Sequence, residues 1–205
     1  MLGTNMYAYC LNNPVNCSDS TGFFTSIHEY RYTGVWAEDY FNSAGLSSVA
    51  KDYAEKIVDA NLSIDELYPA VAKFYNRYAQ SWHFDNSRKG EDDPRIVHYY
   101  NSLVEVKGYL ELAGNGIDRE KNIDLALHSL GRGIHAVQDW VAHNNWDGVP
   151  TKGDINVGLF NFHWWGKNSA DLFVKGDLKY TAAYVYTIQA LTIFTSYYKF
   201  YGLDR

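Results

Sequence analysis

The chain has 205 residues, 46% hydrophobic and 20% charged, which is enough apolar material for a sizeable core and excludes wholesale disorder. Its formal net charge of -6, from 18 basic and 24 acidic residues, disfavours a partner that is a polyanion, because phosphate contacts need clustered Lys and Arg. Cys10 and Cys17 both lie near the start, cannot staple the rest of the chain, and have no metal-site pattern around them.

Residues 1–24 read as turns. Asn12-Asn13-Pro14-Val15-Asn16 and then Asp19-Ser20-Thr21-Gly22 carry turn chemistry without a helical period. Met1 to Asn16 lacks the charged and apolar regions of a signal peptide. Beyond Phe24 the pattern is mostly helical and strand signals are weak, so the expected fold class is all-α, a helical bundle after a short irregular N-terminal segment. Ser47 can cap a helix carrying Val49, Ala50, Tyr53, Ile57 and Val58 on one side. Ser63-Ile64-Asp65-Glu66 has the form of a capping box and predicts a new helix to about Ala79, with Pro69 near its first turn. Asp93-Pro94 supplies an N-cap and a first-turn proline for a helix to about Ala113, which Asn115-Gly116 stops. Another helix is expected from about Asp118 to His143, followed by a Gly-, Asn- and Trp-rich loop over 144–176. The last helix is expected from about Asp177 to Tyr201, with Gly202 as its C′ residue. Within it, Tyr180 to Tyr198 is uncharged and nearly as long as the ~20 residues a membrane span needs. Its threonines, tyrosines, Ser196 and Gln189 mark it instead as a buried or half-buried core helix.

The informative stretch for chemistry is Gly131 to Trp146. On a helix, His135, Asp139 and His143 share one face. At ~1.5 Å per residue the two histidines stand about 12 Å apart along the axis, too far for one ion to hold all three side chains. A central carboxylate can instead bridge two metals, each also held by a flanking histidine, so the spacing favours a di- or trinuclear cluster. Ile134, Ala136, Val137, Trp140, Val141 and Ala142 surround the polar face, which points it inward, where an unpaired charge is costly. His28, His83 and His163 are available from distant positions. His98, beside Tyr99 and Tyr100, and His128 read as packed or solvated histidines. Gly131 and Gly133 cost helix stability and point either to the close approach of another helix or to a local kink. The run Glu91-Asp92-Asp93 reads as a solvated turn and cap.

Two stretches carry resemblances. Asn5-Met6-Tyr7-Ala8-Tyr9-Cys10-Leu11-Asn12-Asn13-Pro14-Val15-Asn16, ending at Asp19 to Gly22, resembles the C-terminal boundary of the RHS-repeat core, whose β-shell encloses a C-terminal toxin. The family's Pro after the Asp is Ser20 here. This resemblance implies that 1–24 is the end of an RHS core and 25–205 a toxin domain. The run His135-x-x-x-Asp139-x-x-Ala142-His143-Asn144-Asn145-Trp146 resembles the motif of the zinc-dependent phospholipase C superfamily, particularly its Het-C-like and toxin-associated branches, which also includes zinc nucleases.

That second resemblance implies an all-α bundle around a multinuclear site of two or three zinc ions. It implies that His28, Asp65, His83, His135, Asp139, His143 and His163 are metal ligands, with Asp139 bridging and Asp65 also a candidate general base. Lys167 stands where the family has an acid after the late histidine, and Asp171 is the alternative. The activity implied is hydrolysis of a phosphodiester, foremost a phospholipid headgroup, by metal-activated water. The aromatics of 144–165, Trp146, Phe160, Phe162, Trp164 and Trp165, serve either a lipid interface or the core. The partners implied are a phospholipid surface, an RHS shell and a cognate immunity protein, and the location is that of a secreted or delivered effector. Two other functions stay open at this point: a zinc nuclease on single-stranded nucleic acid, and a non-enzymatic helical module that binds a partner or perturbs membranes.

Overall fold

A computed structural model describes residues 32–68, 76–83, 91–143, 154–157, 160–163 and 178–205. The RHS-like segment, both cysteines, His28, Pro69 and most of the 144–176 loop lie outside the described residues.

Helix α1 (Gly34–Ser43) buries Trp36, Ala37 and Phe41 along one side. Helix α2 (Ala50–Leu67) buries Ala50, Tyr53, Ala54, Ile57, Val58, Ala60, Asn61 and Ile64, an apolar stripe at helical spacing. The structure departs from the sequence pattern at both ends of this helix. The helix begins after Val49 with no side-chain cap, so Ser47 does not cap it. It also runs straight through the supposed capping box: Ser63 Oγ donates to the carbonyl of Ala60 at 2.7 Å, inside the same helix. The stripe explains this, since Ile64 is fully buried one periodic step beyond Asn61, and a break at 63 would lose that burial.

Helix α3 (Arg77–Gln80) is a single turn, capped by the Asn76 side chain accepting from the Ala79 N–H at 3.2 Å. Helix α4 (Pro94–Gly114) starts as its sequence predicts, with the Asp93 carboxylate accepting from the Arg95 N–H at 3.0 Å. It ends at Asn115, and Gly116 takes the left-handed conformation at φ 77°, which a side chain would oppose. Helix α5 (Arg119–His143) and helix α6 (Leu178–Phe200) follow. Beyond α6, Gly202 (φ 69°) lets Leu203 donate back to the Tyr198 carbonyl at 3.0 Å. Between them β1 (Asp154–Val157) pairs antiparallel with β2 (Phe160–His163), Asp154 opposite His163, inside the stretch expected to be loop.

The all-α expectation therefore holds for the body, and the hairpin is a minor addition. Helix α5 packs against α4, α2 and α6, and α1 packs on α2 and α6. One core joins Phe41, Tyr53, Ile57, Val106, Leu110, Leu127, Leu130, Ile134, Val137, Leu191 and Phe194. Close approach of neighbouring helices, rather than a kink, accounts for the two glycines of α5. A Cβ at Gly131 would run into the Ile57 carbonyl and the Ala60 methyl of α2, and one at Gly133 would lie 2.8 Å from the Ser102 Cβ of α4. Helix α5 is thus wedged between α2 and α4, which sets the register at which their side chains meet. Helix α6 buries Ala183, Thr187, Ala190, Leu191 and Phe194 as a core helix, and among the described residues no helix is long and apolar enough to cross a membrane.

Candidate metal centre

His135 and Asp139 stand one turn apart on α5, with His135 Nε2 3.5 Å from Asp139 Oδ2. The close packing at Gly131 brings the end of α2 beside them, and α2 contributes Asp65 from its last turn. The turn after α3 contributes His83, whose N–H bonds the Gln80 carbonyl at 3.1 Å. His83 Nδ1 lies 2.9 Å from Asp139 Oδ2, 3.4 Å from His135 Nε2 and 3.8 Å from Asp65 Oδ1. Asp65, His83 and His135 each offer a ligand atom within 4.8 Å of the others, so this group could hold a metal ion. His83, His135 and Asp139 are buried, whereas the Asp65 side chain is 24% exposed, which makes its side the wet edge of the cluster.

Several contacts hold this arrangement. His83 Nε2 lies 2.8 Å from the Tyr68 carbonyl, which can only accept, so Nε2 carries a proton and Nδ1 faces the cluster. Trp82, next in sequence, is stacked between Tyr68 and His98, at 5.9 Å and 3.8 Å between ring centroids with the planes 7° apart in each pair. That stack pins the α3 turn to the end of α2 and to α4. The buried Arg95 guanidinium donates to the carbonyls of His83 (3.4 Å) and Asp139 (3.2 Å). Its other nitrogens donate to Asp93 at 3.0 and 2.7 Å, so the capping residue of α4 also anchors the backbone behind two cluster residues. On the far side of His135, Nδ1 lies 3.3 Å from Asn61 Oδ1, Asn61 Nδ2 donates to Gln138 Oε1 at 3.0 Å, and Gln138 Nε2 donates to the hydroxyls of Thr33 (2.9 Å) and Thr187 (3.2 Å).

The electrostatics follow from burial and charge. Burial pulls the His83 pKa down, but the hydrogen bond and charge of Asp139, helped by Asp65, outweigh it, and the net shift is upward. Burial dominates at His135 and lowers its pKa against the pull of Asp139 and Asp65, with His83 pushing the same way as burial. The buried Asp139 carboxylate, with partly exposed Asp65 on the other side of His83, calls for positive charge beside it. A proton on His83, shared toward Asp139, supplies one form of it, and a divalent cation that displaces the proton supplies another. The donor set of imidazole nitrogens and carboxylate oxygens suits zinc and its neighbours in the first transition row.

The structure brings together four residues singled out by sequence: Asp65, His83, His135 and Asp139. Asp65 is not in the first turn of a new helix, as the capping-box pattern predicts; it lies at the C-terminal end of α2. His143 ends α5, but its side chain lies outside the described residues, as does all of His28. His163 ends β2 opposite Asp154, and its side chain too lies outside the described residues. His98 is a packing residue on Trp82, with Nε2 2.8 Å from Ser81 Oγ, and His128 is exposed. Glu91 and Asp92 are exposed beside the capping Asp93, as read from sequence. Asn61, Gln138, Tyr68 and Arg95 were missed. Asn61 did leave a signal, as a polar residue inside the buried stripe of α2, and Gln138 sits between two candidate ligands on α5.

Comparison with protein-family models, with curated proteins and with solved structures gives no match to the chain.

Proposed function

We propose that the protein is a zinc-dependent phosphodiester hydrolase of phospholipase C type, a toxin domain acting on phospholipid headgroups. The observation that carries this reading is the convergence of Asp65, His83, His135 and Asp139 from α2, the α3 turn and α5 into one buried cluster of nitrogen and oxygen donors. In this reading Asp65, His83, His135 and Asp139 hold zinc, and His28, His143 and His163 complete a site of two or three ions. Zinc so held supplies Lewis acidity toward a phosphoryl oxygen and acidifies a water to a pKa near ~7. Asp65, at the wet edge, orients that water or takes its proton. Arg95 and the Trp82 stack keep the histidine and carboxylate donors in place while substrate comes and goes. The net charge of -6 favours a lipid headgroup over a nucleic acid as the phosphodiester. The RHS-like segment supports delivery from an RHS shell and an immunity protein as partner.

The test is zinc content together with release of phosphorylated headgroup from phosphatidylcholine vesicles. Asp139→Ala and His83→Ala are expected to lose bound zinc and to release headgroup at least ~10–100-fold more slowly, the loss that even an outer partner of a metal site causes. Headgroup release that continues in full with zinc removed by a chelator would overturn the reading, as would degradation of oligonucleotides with lipid untouched.

A further inference from the structure

Beneath the cluster runs a buried chain of amides and hydroxyls that no catalytic step uses. Thr33, at the start of α1, and Thr187, midway along α6, both accept from Gln138 Nε2, and Gln138 Oε1 accepts from Asn61 Nδ2. All four residues are buried, so each donor and acceptor needs a partner of the opposite kind. The chain ends on Asn61 Oδ1, 3.3 Å from His135 Nδ1.

We infer that Asn61, oriented by Gln138 and the threonine pair Thr33 and Thr187, is a positioning residue that fixes the proton of His135 on Nδ1 and so turns a proton-free Nε2 toward His83 and Asp139. The inference rests on the metal reading for its purpose and on the hydrogen bonds for its direction. In the structure Gln138 Nε2 donates to both hydroxyls, the Gln138 carbonyl accepts from Asn61 Nδ2, and the Asn61 carbonyl faces His135 Nδ1. The opposite tautomer would set the Nδ1 lone pair against the Asn61 carbonyl in a place that water does not reach. Through this chain α1, α2 and α6 all act on one ring of α5, and the ring is held in the ligating tautomer before any ion arrives.

The full chain labelled with 15N-histidine gives the direct reading. In the metal-depleted protein, long-range proton–nitrogen correlation should show His135 protonated on Nδ1, its signal assigned by its absence in His135→Gln. Zinc affinity, measured by competition with a chromophoric chelator, should fall ~10–100-fold in Asn61→Leu and recover in Asn61→Asp, which restores an acceptor facing Nδ1. His135 protonated on Nε2 in the native chain would overturn the inference. So would a folded Asn61→Leu with native tautomer and native affinity. If Asn61→Leu does not fold, the native tautomer and the affinity of Asn61→Asp decide. A native chain that binds no zinc would instead remove the metal reading, while the nitrogen shifts would still decide what Asn61 does.

Discussion

His98 lies face to face on Trp82, 3.8 Å between centroids, with Ser81 Oγ 2.8 Å from its Nε2. Burial, reinforced by the charge of Arg132, pushes its pKa from 6.5 down to about 4. In the unfolded chain the same ring titrates near ~6.5, so between there and about 4 the unfolded state binds a proton that the folded state refuses. A depressed folded pKa gives stability that is complete above the unfolded value and is lost as pH falls. Melting temperature should therefore drop more steeply between pH ~6.5 and ~4.5 in the native protein than in His98→Phe, which keeps the stack and removes the titration. Parallel curves for the two proteins would show that His98 is not the group responsible. Single residues also mark how far the sequence could be read. His135 and Asp139 were legible because one helix places both, and local spacing is enough. The hydrogen bonds of His83 to Tyr68 and of Asn61 to Gln138 were not, because they join segments whose proximity depends on tertiary packing.

At the scale of elements, the glycines of α5 give the sharpest contrast. An alanine at an ordinary exposed helix position gains ~0.5–1 kcal/mol over glycine, and Gly108 on α4, with open space around it, should show that gain as Gly108→Ala. Gly131→Ala carries the same propensity gain but drives a methyl into the Ile57 carbonyl and the Ala60 methyl. It should destabilise by roughly 1–3 kcal/mol net of that gain, measured by urea denaturation. Equal effects at the two sites would mean that α2 and α5 are not in close contact at Gly131. The ends of α4 and α6 were legible from Asp93-Pro94, Gly116 and Gly202, because capping is a local matter of backbone geometry. Ser63 misled for the converse reason: its local signature was that of a helix start, but the stripe from Ile57 to Ile64 buries more as one helix than as two. The hairpin's signal, the alternation in Ile155-Asn156-Val157 and Phe160-Asn161-Phe162, was present but short.

For the whole molecule, the bundle is what turns scattered residues into a site. Helix α5 supplies the fixed pair His135 and Asp139, the glycines let α2 and α4 close on it, and the Tyr68–Trp82–His98 stack with Arg95 brings the α3 turn to the same place. The all-α class was legible from helical periodicity along the chain. The meeting of Asp65 and His83 with α5 was not readable from spacing; it was expected only from the likeness of the motif to zinc phospholipases. Crystals of the chain grown with zinc, with diffraction data collected on either side of the zinc absorption edge, test that meeting most directly. An anomalous peak bounded by Asp65 Oδ1, His83 Nδ1 and His135 Nε2 is expected, and it should be lost in Asp139→Ala. A zinc-loaded crystal whose peaks all lie elsewhere, with His83 still hydrogen-bonded to Asp139, would contradict it.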